Sequence, residues 1–415
     1  MLTFKRSSVL AQSGEQAALS EPHLMEEFPA PNEGQVTLAN WRLPPFNRWS
    51  FHHVREIVPT AAIYRSERLV DRIELRPASI ERLGFAGPEG REWTIGEMLD
   101  ATWTDGFLVL QGGQALMEWY GSGLRPEVPH IVFSVSKSIS AILAGVVIGD
   151  GRLDPDAPVT KYIPEVAESA YGDCTVRHVL DMTVSVNFIE DYLDAQGDFA
   201  RYRVATGWNP IPEGMKAADL RSFLTTMRKG PGPHGKIFHY VSPNSDLLGW
   251  ILERASGKAY ANLLSDAIWR RIGTEFDAYI TVDRMGAPRS AGGICTTLRD
   301  LGRFGEMVRN RGRVDDEQIV PDWWIDDIRT KGDPAAWAAG DLAKLIPGGR
   351  YRGKWYNIGN DRGAHCAIGI HGQWIYIDPA SEVVIVKLSS QPLPLDDKVD
   401  RLLLMAFDAI ARKLG

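Results

Sequence analysis

The sequence of 415 residues predicts an α+β fold, in which an antiparallel sheet is flanked by helices from both ends of the chain and carries an inserted, mainly helical lobe. Apolar, strand-like runs occur at 107–120 and again at 367–388. Residues 151–269 instead combine helical stretches with loops and show no strand alternation. Because strand signals occupy both ends of the chain, we expect them to share one sheet.

The first strands are predicted as a hairpin. Residues 107–111 and 114–120 are separated by Gly112-Gly113, and glycine supplies the positive φ angles of a two-residue turn. Apolar residues at helical spacing follow from Val135, and Gly149 and Gly151 stand where that helix is expected to end. The sequence therefore predicts a hairpin and then a buried helix.

The C-terminal part is predicted to contribute three strands and a helix. The strand-like runs are 367–370, 374–377 and 383–388, and the terminal helix covers 402–414. We expect one unit over 41–415, with an α/β part at about 41–150 and 270–415 and the helical lobe at about 151–269. The polar residues 1–40 are expected to form an extension that lies on this unit.

Composition and charge exclude several function classes. The net charge of −7 and the pI near 5.8 argue against nucleic acid as a partner. No stretch approaches eighteen apolar residues, so no membrane partner is expected. Three widely spaced cysteines and the lack of an apolar export signal favour a cytoplasmic location. We find no ligand spacing typical of a metal site and expect no cofactor.

The segment with the most chemical information is Ser134-Val135-Ser136-Lys137, the sole S-x-x-K of the chain. Residues three apart on a helix share one face, so the amine of Lys137 can approach the hydroxyl of Ser134. A buried lysine has a lowered pKa and can activate a serine nucleophile. The alternative is a chance match, which a chain of this length produces about once from average residue usage.

A second candidate group is Tyr240, which precedes Val241 and Ser242 at the start of an apolar helical run. Beside a protonated lysine the phenolate of Tyr240 becomes more accessible, so this phenolate can accept a proton from a serine and return it to a leaving group. The alternative is a core tyrosine followed by a helix-capping serine.

Together these motifs resemble the serine β-lactamase and penicillin-binding superfamily, in the class C and esterase branch, where the second motif begins with tyrosine. More specifically, the segments Ser-Val-Ser-Lys-Ser, Asp-Gly-Arg-Leu-Asp-Pro, Gly-Ile-His-Gly-Gln and Val-Ile-Val-Lys-Leu-Ser-Ser resemble the 6-aminohexanoate-dimer hydrolases, which cleave nylon oligomers. The resemblance runs from about Trp41 to the C-terminus and implies a β-lactamase/transpeptidase-like fold.

The resemblance also implies roles for individual residues. It makes Ser134 the acylated nucleophile, Lys137 its proton partner and Tyr240 the general acid and base. The backbone N–H groups of Ser134 and Ile370 would form the oxyanion hole. The resemblance also implies that Tyr192 belongs to a mobile loop that covers the substrate. The alternative is that Tyr192 is an exposed aromatic residue on a flexible loop.

Three further positions bear on how the substrate is expected to bind. His371 replaces the lysine that usually opens the strand motif; we expect it near substrate, with a hydrogen-bonded strand histidine as the favoured alternative. Gly372 is expected to let substrate approach the strand. Arg203 stands where the nylon-oligomer branch can place an acidic residue that holds the substrate amine.

The function implied is a serine hydrolase that cleaves small linear amides or esters through an acyl intermediate on Ser134. A carboxylesterase is the first alternative, and a non-hydrolytic, penicillin-sensing or acyl-binding protein is an alternative of another class. The expected partner is a small amide or ester substrate, and the resemblance suggests a homodimer.

Overall fold

The computed structural model describes residues 23–67, 73–216 and 218–415. The first 22 residues of the predicted N-terminal extension therefore lie outside the described part. Within that part, no helix combines the length and the apolar character that crossing a membrane requires.

The structure contains fifteen short to medium strands among the described residues. The strands are β1 (Thr60–Ile63), β2 (Gly84–Ala86), β3 (Glu92–Thr94), β4 (Thr104–Gln111), β5 (Gln114–Tyr120), β6 (His130–Ile131), β7 (Ala278–Thr281), β8 (Ile294–Thr296), β9 (Arg313–Val314), β10 (Glu317–Gln318), β11 (Arg350–Arg352), β12 (Trp355–Asn357), β13 (His365–Gly369), β14 (Gln373–Asp378) and β15 (Val383–Ser389).

The helices described alongside them cluster in the middle and at the end of the chain. They are α1 (Asn47–Ser50), α2 (Ile95–Ala101), α3 (Val135–Gly149), α4 (Val176–Leu180), α5 (Asp198–Ala205), α6 (Leu220–Thr225), α7 (Ser242–Ser256), α8 (Tyr260–Leu264), α9 (Leu298–Arg309), α10 (Asp322–Thr330), α11 (Pro334–Ala338) and α12 (Asp397–Leu414).

The main sheet has seven strands in the order β11-β12-β13-β14-β15-β4-β5, and every neighbouring pair is antiparallel. The pairing of β15 with β4 joins the two ends of the chain. Helix α12 packs Phe407 against Trp374 and Tyr376 on one face. On the other face, Gly302 and Gly305 let α9 lie directly on the sheet. The predicted α+β fold is confirmed.

The hairpin between β4 and β5 has the predicted turn. Gly112 and Gly113 have φ angles of +54° and +84°, which side chains other than glycine rarely adopt. Pairing of Gln111 with Gln114 closes a two-residue loop.

A second sheet, β1-β7-β8-β6, leads into helix α3. The chain leaves β6 at Ile131, and α3 begins four residues later. Between β6 and β7 the described residues form helices and loops with no strand, and α7 packs against both α3 and α4. The start of α3 thus lies where the helical segment meets both sheets.

Residues 24–58 wrap one side of this junction. Trp41 is fully buried, stacks on Phe133 with ring centroids 6.5 Å apart, and meets Trp208 edge-on at 5.3 Å. Phe51 contacts Phe133 at 4.8 Å. The burial of this aromatic group fixes the strand end from which α3 starts.

Helix α3 packs closely against Trp324 at Gly145, so a larger residue at this position should destabilise the fold. A Cβ atom added at Gly145 would lie less than 3.0 Å from three atoms of the buried Trp324 ring, which is held by a 3.0 Å hydrogen bond from its Nε1 to the Ala141 carbonyl. Gly145→Ala should therefore lower the free energy of unfolding by about 1–3 kcal/mol, although alanine is the better helix former.

Chemical denaturation measures this difference. Gly84→Ala is the matched control, because the nearest atom to its added Cβ is 4.0 Å away and the residue is exposed. Equal stability of the two variants would contradict the tight contact between α3 and Trp324.

Candidate active site

Ser134 occupies the N-cap position of α3, and its side chain is almost fully buried. The preceding Phe133 has a φ angle of +41°, a strained conformation for a residue with a side chain. The surrounding aromatic side chains hold Phe133 in place. This turn sets the hydroxyl of Ser134 at the positive end of the α3 dipole.

Lys137 lies one turn into α3 and is 2% exposed. Its Nζ is 2.7 Å from Ser134 Oγ and donates a hydrogen bond of 2.6 Å to the Ala291 carbonyl. Burial lowers the pKa of Lys137 to about 7, against the opposing effect of the Glu190 carboxylate. Near neutral pH the amine is therefore partly uncharged and has a lone pair for the serine proton.

The structure brings Tyr240 to the same point. The Lys137 Nζ lies 5.0 Å from the centroid of the Tyr240 ring. The hydroxyls of Ser134 and Tyr356 act on the phenol and favour its phenolate form. The three residues that the sequence singled out are thus brought together.

The protonation of Tyr240 differs from the sequence expectation. Burial raises the pKa of Tyr240 above its usual 10, and the Glu190 carboxylate raises it further; these effects outweigh the opposite influence of the Ser134 and Tyr356 hydroxyls. The direction of this shift opposes the expectation that the phenolate becomes more accessible. It favours the neutral phenol as a candidate proton donor and makes Lys137 the better candidate base.

The predicted oxyanion hole combines the end of β13 with the start of α3. A Cβ atom on Gly369 would lie 2.7 Å from the Val132 carbonyl and 3.1 Å from the Ser134 nitrogen, so glycine alone fits this close approach. Among the turn and loop hydrogen bonds of the described residues, neither the N–H of Ser134 nor that of Ile370 is a donor. Both groups stay predicted donors to a substrate oxygen.

His371 is placed in the turn after β13, with a φ angle of +61°, and not on the strand. Its ring is 3% exposed, its Nδ1 lies 2.7 Å from the Gln391 carbonyl, and it packs on Phe51 and Phe133. Burial lowers the pKa of His371 to about 3, so the ring is neutral. These contacts favour the structural alternative for this histidine.

The turn itself requires Gly372, rather than the approach of substrate to the strand. Its φ angle is +85°, and a Cβ atom there would lie 3.0 Å from Ser389 Oγ and 3.3 Å from Gln391 Oε1. The backbone conformation and the packing of Ser389 explain the glycine. The glycine that faces Ser134 is Gly369, which the sequence analysis did not single out.

Tyr192 is half-buried beside the site. Its hydroxyl donates a 2.6 Å hydrogen bond to Glu190 Oε1, which also accepts a 2.6 Å bond from Ser242 Oγ. Its ring meets Phe199 edge-on at 4.9 Å. These hydrogen bonds attach the loop that contains Tyr192 to the start of α7, close to Tyr240. The role of Tyr192 as a substrate cover stays a prediction.

A buried ion pair behind Lys137 was missed at the sequence level. Arg289 pairs with Asp246, and Asp246 Oδ1 accepts a 2.7 Å hydrogen bond from the Ala291 N–H. The carbonyl of Ala291 is the acceptor for Lys137. The pair therefore holds the backbone that positions the lysine. In the sequence, the available signal of this ion pair was the acidic residue Asp246, six residues after Tyr240.

Comparison with known proteins places this geometry in a family. A profile described as Beta-lactamase matches residues 99–409. A 6-aminohexanoate-dimer hydrolase from Paenarthrobacter ureafaciens is 37% identical over 367 residues, which cover 88% of this chain and 91% of the relative.

Two solved structures show the extent of the similarity. A protein from Bacillus anthracis assigned as a 6-aminohexanoate-dimer hydrolase has a TM-score of 0.84 and 27% identity, covering 93% of this chain and 98% of its own. A class C β-lactamase from Rhodobacter sphaeroides has a TM-score of 0.55 and 16% identity, over 77% and 98% of the two chains. The second likeness is one of fold alone.

Proposed function

The chain belongs to the β-lactamase family of serine hydrolases, and on that premise we propose that it cleaves small linear amides or esters through an acyl intermediate on Ser134. The observation that carries the proposal is that one hydroxyl, one amine and one phenol are brought together at the start of α3. Lys137 Nζ lies 2.7 Å from Ser134 Oγ and 5.0 Å from the centroid of the Tyr240 ring.

In the acylation step, the neutral amine of Lys137 takes the proton of Ser134 while Oγ attacks the substrate carbonyl. The N–H groups of Ser134 and Ile370 stabilise the oxyanion, a contribution of about 3 kcal/mol for each donor. Tyr240 gives its proton to the departing amine or alcohol, and the Lys137 ammonium returns a proton to the phenolate. Lys137 and Tyr240 thus regain their initial protonation states, and the proton of Ser134 has left with the departing amine or alcohol.

In the second step, water attacks the acyl group. The amine of Lys137, relayed by Tyr240, accepts the water proton, and Oγ of Ser134 leaves as the acid forms. The serine then recovers its proton from the lysine. No group beyond these residues is needed to balance either step.

The substrate proposed first is a linear aminohexanoate-type amide, because the relative from Paenarthrobacter ureafaciens carries that activity in its name and covers most of the chain. A carboxylesterase is the second candidate, since the same acylation chemistry accepts the more reactive ester. Purified protein should be offered 4-nitrophenyl acetate, the linear aminohexanoate dimer and a cephalosporin in parallel. Turnover of the ester and the dimer is expected, and turnover of the cephalosporin alone would contradict the proposal.

The pH dependence of kcat/KM follows from Lys137. Its pKa of about 7 means that the amine is protonated, and inactive as a base, in mildly acidic solution. Activity should therefore rise with pH through about 7 and level off above it. A rate profile measured with a neutral ester checks this rise; a profile that falls across the same range would contradict the assignment of Lys137 as base.

Location and assembly are part of the same proposal. The three cysteines are buried free thiols, which supports a cytoplasmic, reducing location. A homodimer remains a proposal from the resemblance.

A further inference from the structure

Two arginines, Arg42 and Arg203, lie on either side of the turn that follows α5. Arg42 donates to the Trp208 carbonyl and to Asn209 Oδ1, and the N–H groups of those same two residues bond to the Arg203 carbonyl. Arg203 donates its own hydrogen bond of 3.0 Å to the Tyr192 carbonyl. Both side chains are half-buried.

Neither arginine has a carboxylate partner among the described residues, in which most other half-buried or buried arginines form ion pairs. Arg42 Nε is buried and has no hydrogen-bond acceptor within the part of the chain that the structure describes. The two guanidiniums also repel each other, because the charge of Arg203 disfavours the charged form of Arg42. Guanidiniums without a carboxylate partner are groups suited to binding an anion.

Two acidic residues act on Arg203 from beyond ion-pair distance. Glu190 and Asp191 favour its charged form electrostatically but form no ion pair with it. Glu190 is committed to Tyr192 and Ser242. The carbonyl and amide oxygens that the arginines contact carry no net charge, so within the described ranges neither guanidinium is paired with a carboxylate at hydrogen-bonding distance.

This position borders the catalytic residues. Arg42 lies over Trp41 and Trp208, whose rings pack against Phe133, the neighbour of Ser134. Arg203 contacts Tyr192, which is bonded to Glu190 beside Tyr240. The charges of both arginines act on His371, next to the predicted oxyanion donor Ile370.

We propose that Arg42 and Arg203 form a subsite for a carboxylate of the substrate, so that the preferred amide or ester carries a negative charge away from the bond that is cleaved. This inference rests on the proposed function and adds a substrate class to it. A carboxylate accepts paired hydrogen bonds from a guanidinium and would relieve the repulsion between the two cations. An ammonium group would add to that repulsion.

Matched substrate pairs test the subsite. The 4-nitrophenyl monoester of adipic acid and its methyl ester differ in one charge on the acyl side. The compound N-hexanoyl-6-aminohexanoate and its methyl ester differ in the same way on the leaving-group side. In at least one pair, kcat/KM should be about tenfold or more higher for the carboxylate, as expected for one charged hydrogen bond.

Variants assign that preference to the two arginines. Arg203→Gln and Arg42→Gln should each bring the ratio of carboxylate to methyl ester toward one while the methyl ester is still hydrolysed, which also shows that the variant is folded. The control is Arg201→Gln, an exposed arginine of the same helix whose partner is Asp198, and it should keep the wild-type ratio. A ratio near one in the wild type for both pairs, or a preference unchanged in both arginine variants, would overturn the subsite.

A binding measurement separates this inference from the catalytic one. Adipate should raise the melting temperature of wild-type protein, and of a Ser134→Ala variant, but not that of Arg42→Gln with Arg203→Gln. If no substrate is hydrolysed and adipate still stabilises the protein through the arginines, the proposed function fails and the subsite stands. If hydrolysis occurs and adipate stabilises all variants equally or none, the subsite fails alone.

Discussion

Ser134→Ala is expected to lower kcat for both esters and amides by about 10⁴-fold or more. The reason is that no neighbouring hydroxyl can replace Oγ. Ser136 Oγ accepts a 3.1 Å hydrogen bond from the Ile294 N–H, and Ser138 Oγ donates a 2.7 Å bond to the Lys354 carbonyl. Steady-state rates with 4-nitrophenyl acetate measure the loss.

Ser138→Ala is the matched control for this prediction. Ser138 lies on the same helix and is also buried, but its hydroxyl donates to the Lys354 carbonyl in the β11–β12 turn. Its activity should stay within a few-fold of the wild type. Comparable losses in the two variants would mean that damage to α3, and not loss of the nucleophile, explains the first result.

Tyr240→Phe is expected to separate amides from activated esters. An amine must be protonated as it leaves, and loss of a general acid typically costs 10²–10⁴-fold. A nitrophenolate leaves without a proton, so the variant should lose far more kcat/KM on the aminohexanoate dimer than on 4-nitrophenyl acetate. Phenylalanine keeps the ring that faces the Lys137 amine.

Tyr351→Phe provides the comparison, because Tyr351 is a buried tyrosine whose ring packs on Phe238 at 4.7 Å. Its ratio of amide to ester activity should equal that of the wild type. An unchanged ratio in Tyr240→Phe would show that the phenol does not protonate the leaving group.

Local sequence patterns predicted those parts of the molecule that local physics determines. The Gly112-Gly113 turn needs positive φ angles, and the i, i+3 spacing of Ser134 and Lys137 places them on one helix face; both features are found. The terminal helix was predicted from residue 402 but begins at Asp397. Its first turn is polar and is capped by Asp396, so apolar periodicity does not reveal it.

The remaining features depend on contacts between distant parts of the chain. Burial of Tyr240 sets the direction of its pKa shift, and no spacing rule gives that burial. The ion pair of Asp246 with Arg289 joins residues 43 positions apart. Gly372 is explained by Ser389, a neighbour from β15. Such neighbours are known only once the sheet is assembled.

Intact-mass spectrometry during turnover of a slowly hydrolysed ester examines the catalytic account most directly. We expect a species heavier by one acyl group, located on the peptide that contains Ser134, which forms quickly and decays as the acid is released. An adduct on another residue, or an acyl group that stays on Ser134 without release of acid, would contradict a hydrolase built from this serine, lysine and tyrosine.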